Sequence, residues 1–162
     1  MYHPIRVLFI CYRNSIRSQL AEALLRRLGA DDFQVFSAGI QPEPLDTLAM
    51  EIMGALGIDI SGHMSIAIDH FFGQEFDYII TLCDKAQPYV GEFSGEHVHL
   101  RWHLPDPIEF VGNDDNKRQL LHLLCVELTE RIRLWIAMER HKLSEEGILE
   151  PDSYPRRVGW IH

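Results

Sequence analysis

Cys11 and Arg17 are the residues with the most chemistry to offer, and they stand in one short stretch, Cys11-Tyr12-Arg13-Asn14-Ser15-Ile16-Arg17-Ser18. An ionised thiol is a strong nucleophile, and a guanidinium presents a planar fork of donors that matches two oxygens of a tetrahedral oxyanion. A nucleophile and an anion clamp at this separation suit covalent attack on a bound oxyanion. The plainer alternative is a small buried cysteine ahead of an ordinary amphipathic helix. That alternative leaves Asn14, Arg17 and Ser18 as accidents.

What must position these groups can be read on either side. Residues 5–10 (IRVLFI) are short, β-branched and almost wholly apolar, as in a central strand covered on both faces. After the loop, Leu20, Ala21, Leu24, Leu25 and Leu28 recur at helical spacing until Gly29, which suits a helix C′ position. Strand, tight loop and helix place the thiol at the mouth of a helix N-terminus. Unpaired backbone N–H groups and the positive end of the dipole there favour an anion, and thiolate over thiol.

The remaining chain alternates in the same manner. Residues 33–37 and 77–82 read as strands, 45–56 as an amphipathic helix, 66–72 as a short helix, 98–102 as a fourth strand, and 114–141 as a long helix. The long helix has an expected apolar face of Leu120, Leu124, Leu128, Ile132, Trp135 and Met138. The third strand delivers Cys83 much as the first delivers Cys11. Strands alternating with helices imply an α/β fold with a parallel sheet and right-handed crossovers. One domain over 1–143 is expected, with an irregular polar tail over 144–162 that carries Pro151 and Pro155.

Composition sets bounds. At 162 residues the chain suits one domain with a sizeable core, and a net charge of −9 without basic runs argues against nucleic acid as a partner. No apolar stretch is long enough for a membrane span and no signal peptide is evident, so a cytoplasmic protein is expected. Cys11, Cys83 and Cys125 are too scattered for a disulfide framework or a C-x-x-C metal site. A reducing compartment suits them.

The segment Cys11–Ser18 between strand and helix resembles the phosphate loop of low-molecular-weight tyrosine phosphatases and of their relatives, the thioredoxin-type arsenate reductases. Ser37-Ala38-Gly39, then Gly57-Ile58-Asp59-Ile60-Ser61 and His63, resemble the stretch that backs the loop in that superfamily. Thr81-Leu82-Cys83-Asp84 with Ala86 is similar to the arsenate reductase branch in particular, and Trp102 with Pro105-Asp106-Pro107 to the end of the fourth strand and its Asp-Pro acid. The resemblance implies a four-stranded parallel sheet of order 2-1-3-4 with helices on both faces and the loop at the carboxyl edge.

It also implies roles. Cys11 would form the covalent adduct, held by Arg17 and by the cradle of Tyr12, Arg13, Asn14, Ser15, Ile16 and Ser18. Asp106 would protonate the departing oxygen, and Cys83 would be the resolving thiol that releases arsenite and leaves a disulfide. The expected activity is therefore arsenate reduction, a detoxification reaction that needs an external thiol reductant: thioredoxin, glutaredoxin or a small thiol. A low-molecular-weight tyrosine phosphatase is the first alternative, although Ile108 stands where an aromatic wall is usual. The second is a non-catalytic oxyanion-binding or redox-sensing module.

Several residues depart from the pattern. Val90 occupies the place of the third cysteine of the thioredoxin-coupled relay, Arg13 that of a glycine, and Ile16 that of a frequent cysteine. Asn14, Glu22 and Ser37 match positions that hold potassium in some relatives, but Ile66 replaces the carboxylate, so no metal is expected. Nor is one expected at His97, His99 and His103, although His97 and His99 would share a strand face. Cys125 reads as a core residue of the last helix.

Overall fold

The computed structural model describes residues 3–110 and 112–147. The central strand β1 (Ile5–Cys11) pairs in parallel with β2 (Phe33–Gly39) on one side and β3 (Tyr78–Thr81) on the other. β3 pairs in parallel with β4 (Val98–Arg101), which completes a four-stranded sheet of order 2-1-3-4. Val7, Leu8, Phe9 and Ile10 are inaccessible to solvent, so β1 is covered on both faces, as its unbroken apolar run requires.

Three α-helices follow: α1 (Arg17–Gly29), α2 (Thr47–Ala55) and α3 (Asp114–Glu145). On one sheet face the rings of Phe33, Tyr78 and Trp102 gather about Trp135 of α3, and Phe9 packs on Trp102. On the other face Phe36 meets Phe71 and Phe76, and Phe76 meets Phe93. Short 3-10 helices, Ile68–Phe71 and Asp84–Glu92, flank that second layer. The short helix expected over 66–72 is a single 3-10 turn. The turn over Asp84–Glu92 has no sequence signature, because Pro88 sits inside it.

Helix ends correct three expectations. Gly29 is still helical, and the left-handed residue after α1 is Ala30 at φ 46°. Gly29 is small for another reason: a Cβ there would lie 2.5 Å from the Phe33 ring. α2 begins at Thr47 because the Asp46 side chain accepts from Leu48 N and Ala49 N. On α3, Met138 is exposed and Glu139 is the buried residue, accepting from Tyr78 at 2.7 Å and from Lys142. The helix also runs on to Glu145, past the end expected at 141, while 148–162 of the expected tail lie outside the described residues. Among the described residues no helix is long and apolar enough to cross a membrane.

Candidate active site

The loop after β1 is fixed by its carbonyls. Those of Cys11, Tyr12, Arg13 and Ser15 accept from the N–H groups of Ile40, Gln41, Glu43 and Asp46 in the segment after β2. Asn14 O accepts from Gln19 and Ser65, and Ile16 O from Leu20 N inside α1. With every carbonyl from Cys11 to Ile16 held outward, the planar peptide units turn the following N–H groups inward, toward the sulfur. Asn14 N indeed points at Cys11 Sγ, 3.2 Å away. α1 starts with neither a side-chain cap nor an acidic residue in its first turn, so the charge-seeking end of the helix is left for an anion.

The turn requires a left-handed residue, Asn14 at φ 52°, and it presses against β2. A Cβ on Gly39 would lie 2.8 Å from both Arg13 C and Asn14 N, which are backbone atoms that cannot swing away. Gly39→Ala is therefore expected to cost about 1–3 kcal/mol of stability. It should also weaken phosphate binding, read by thermal denaturation and titration calorimetry. An unchanged loop affinity would show that the close approach is not needed.

Asn14 is fully buried and uses its whole amide. Nδ2 donates to Ser18 Oγ at 2.7 Å and to Ser37 Oγ at 2.9 Å, and Oδ1 accepts from Ile66 N and Gln19 Nε2. Because Ser18 Oγ accepts from Asn14, its own proton is free for Cys11 Sγ, 2.9 Å away. Two donors thus converge on the sulfur.

Arg17 is buried, with Nη1 donating to Leu104 O at 3.3 Å and Nη2 3.6 Å from Asp106 Oδ2. Arg13 reaches the same carboxylate oxygen, its Nη1 donating at 2.6 Å, while its Nε lies 3.4 Å from Glu43 Oε1. Burial opposes the charge on Arg13, but hydrogen bonding and attraction from Asp106, with help from Glu43 and Glu109, raise its pKa above the ordinary value. Asp106 Oδ1 caps the 3-10 helix Pro107–Glu109 by accepting from Ile108 N at 3.0 Å.

Cys83 follows β3 and is buried. Burial pushes its thiol up, nearby Arg17 pulls it down, and Cys11 pushes it up again, so all three groups share one neighbourhood. Val90, in the position considered for a third thiol, is buried in the core. Cys125 is buried beside Met53, and burial pushes it up to about 11. The histidines on and after β4 turn to separate partners: His99 to Thr81 and His103 toward Asp84.

Behind the loop lies a network the sequence reading missed. Gln19, fully buried, donates to Asn14 O and Met64 O, and its Oε1 faces His63 Nδ1 at 3.1 Å. The same His63 nitrogen is 3.3 Å from Glu22 Oε2, so it carries the proton. One signal was available: Gln19 and Glu22 fall among the apolar residues of α1's first two turns, where a polar side chain must find partners. Asn14 Oδ1 is taken by N–H donors, Ser37 Oγ accepts from Asn14, and the Arg26 guanidinium lies 3.3 Å from Glu22.

Burial pushes Glu22 up to about 7 against the pull of Arg26, and burial also lowers His63, so both shifts favour a hydrogen bond between neutral groups. A carboxyl whose pKa is raised on folding binds its proton more tightly in the native state, so native stability falls between the unfolded and folded pKa values as pH rises. Glu22→Gln should therefore gain stability relative to the parent by ~3 kcal/mol between about pH 4.5 and pH 8. Urea denaturation at the two pH values checks this, and a pH-independent difference would refute it.

A sequence profile for low molecular weight phosphotyrosine protein phosphatase matches residues 6–146. A glutaredoxin arsenate reductase of Synechocystis sp. is 32% identical over 132 residues, 82% of this chain and 96% of that protein. An arsenate reductase of Halalkalibacterium halodurans is 32% identical over 127 residues, 78% of this chain and 91% of that one. Among solved structures, an arsenate reductase in the phosphate binding state superposes with a TM-score of 0.69 at 31% identity, covering 83% of this chain and 98% of the other. The phosphatase Wzb from Escherichia coli K30, bound to sulphate, shares the fold at 19% identity and a TM-score of 0.69, covering 84% of this chain and 99% of that one. With the match running from β1 to the end of α3, the chain belongs to the low molecular weight phosphotyrosine protein phosphatase family.

Proposed function

We propose that the protein is an arsenate reductase. Cys11 thiolate attacks arsenic, an S–As bond forms, and one oxygen leaves as water with a proton from Asp106. Arg17 and the loop amides hold the three equatorial oxygens as charge shifts onto them. Cys83 then attacks Cys11 sulfur: an S–S bond forms, the S–As bond breaks, and its electron pair stays on arsenic, which departs as arsenite. One arsenate consumes two thiols and yields arsenite, water and a disulfide.

The observation that carries this reading over ester hydrolysis is the second thiol, Cys83, which leaves β3 beside the loop: Leu82 N donates to Ile10 O, and Leu82 O accepts from Leu104 N, whose residue's carbonyl binds Arg17. Hydrolysis by water has no use for a second thiol. Val90, buried and without sulfur, supports a two-cysteine cycle in which an external thiol, from glutaredoxin, thioredoxin or a small molecule, reduces the Cys11–Cys83 disulfide directly.

A single turnover of the fully reduced protein with arsenate and no added thiol tests it, with mass spectrometry of the cysteine peptides. One equivalent of arsenite with a Cys11–Cys83 disulfide is expected. Cys83→Ser should stop at the adduct and release arsenite only when a small thiol is added. Phosphate release from an aryl phosphate without arsenite formation would instead make the protein a phosphatase, and binding of either anion without product would make it a sensing module.

A further inference from the structure

Among the described residues, the hydrogen-bond and ion-pair partners of the Asp106 carboxylate are all donors. Oδ2 faces Arg13 at 2.6 Å and Arg17 at 3.6 Å, and Oδ1 faces the Ile108 N–H at 3.0 Å. An oxygen held by guanidinium N–H groups is arranged as a carboxylate, and none of these partners can accept a proton from it. A carboxyl that must hand a proton to a leaving oxygen needs a different arrangement, so one of the guanidinium groups has to withdraw before the chemistry.

The two arginines are not equally free to do so. Arg17 is buried on the first turn of α1 and is also tied to Leu104 O. Arg13 has a side chain 20% exposed, and its other carboxylate partner, Glu43, is 49% exposed. Its contact with Asp106 uses one nitrogen, Nη1, whereas an oxyanion could take two prongs of the fork. Its guanidinium carbon lies 5.3 Å from the Tyr12 ring centroid, a flat surface across which the group can turn without losing its cation–π contact. The backbone beneath it stays fixed, because Arg13 O is held by Glu43 N at 3.0 Å.

We propose that Arg13 is an anion-operated latch: it pins the Asp106 carboxylate in the empty site and transfers to the incoming oxyanion, which frees Asp106 to act as the acid. The latch rests on the arsenate reductase reading for its reactive step, but not for its anion-binding step. A doubly charged oxyanion at the loop competes for Arg13 against two single carboxylates, one of them half in water, where its attraction is screened. In the loaded state Arg13 belongs to the substrate, and Asp106, unpaired from it, takes a proton from solvent and faces the leaving oxygen as the acid.

Two measurements test this together. In single turnovers, Arg13→Ala is expected to raise the arsenate concentration at half-saturation tenfold or more, with the rate at saturation within threefold. Arg13→Lys, which keeps charge but not the fork, should fall between the two and serves alone if the alanine variant is misfolded. A tenfold fall in the saturated rate of either variant overturns the latch, since Arg13 would then be holding Asp106 during the reaction. The second measurement is calorimetric binding of inorganic phosphate to Asp106→Asn and to Asp106→Asn with Arg13→Ala. If Arg13 touches the anion, the double variant binds at least tenfold more weakly. Affinities within threefold overturn the proposal, because Arg13 would then only neutralise Asp106. Should the parent protein produce no arsenite at all, the reductase reading fails while the phosphate comparison still decides the latch.

Discussion

Cys11→Ser is expected to abolish arsenite formation in single and multiple turnovers while leaving the oxyanion site intact. A serine hydroxyl at this position remains protonated near neutral pH, so no nucleophile forms, yet the carbonyls that shape the loop stay held by Ile40, Gln41, Glu43 and Asp46. Removing a thiolate from beneath a bound anion also removes a like charge. Phosphate affinity should be equal to or greater than that of the parent, read by calorimetry on the same samples. Arsenite produced by Cys11→Ser would defeat the covalent mechanism altogether.

Arg17→Ala should weaken both ground-state and transition-state binding. If both prongs engage the oxyanion, the loss in kcat/KM corresponds to about 2–4 kcal/mol, or a factor on the order of 30 to 1,000. The guanidinium is buried and shares Asp106 with Arg13, so truncation also leaves Leu104 O without its donor. Arg17→Lys separates charge from geometry: a lysine supplies the charge but not the planar fork, and little recovery is expected. Phosphate titration beside the single-turnover rate distinguishes the two contributions. Full activity in Arg17→Ala would move the clamp to Arg13.

The parts of this molecule legible in the sequence are those whose cause is local. β1, the loop and α1 follow from an apolar run, a break and a helical repeat, all within residues 5–29. Strand order came instead from resemblance, since neighbours such as Ile10 and Thr81 carry no mark of their pairing. The nine-residue 3-10 helix over Asp84–Glu92 was beyond helical periodicity, with Pro88 inside it. Arg13 was noticed as a departure, but its partner lies 93 residues away and nothing near either residue announces the pair. Gln19 and Glu22 could have been suspected, as polar residues on a helix buried nearly all round at its start. Glu139 hid for the opposite reason: one position from Met138, it takes the inward place that hydrophobicity alone would assign to its neighbour.

Val90 carries one more consequence. Where a relay exports its disulfide, the segment after the resolving thiol has to come loose, and the oxidised protein differs from the reduced one in which amides are open to water. Here Ala86, Val90 and Phe93 anchor that segment in the core on the same side as the Phe72 and Phe76 rings. This anchoring is expected to keep the turn wound on oxidation, so amide exchange across residues 84–92 should proceed alike in both redox forms. On the two-cysteine reading, a reductase that recognises the oxidised form therefore has to probe the pocket itself.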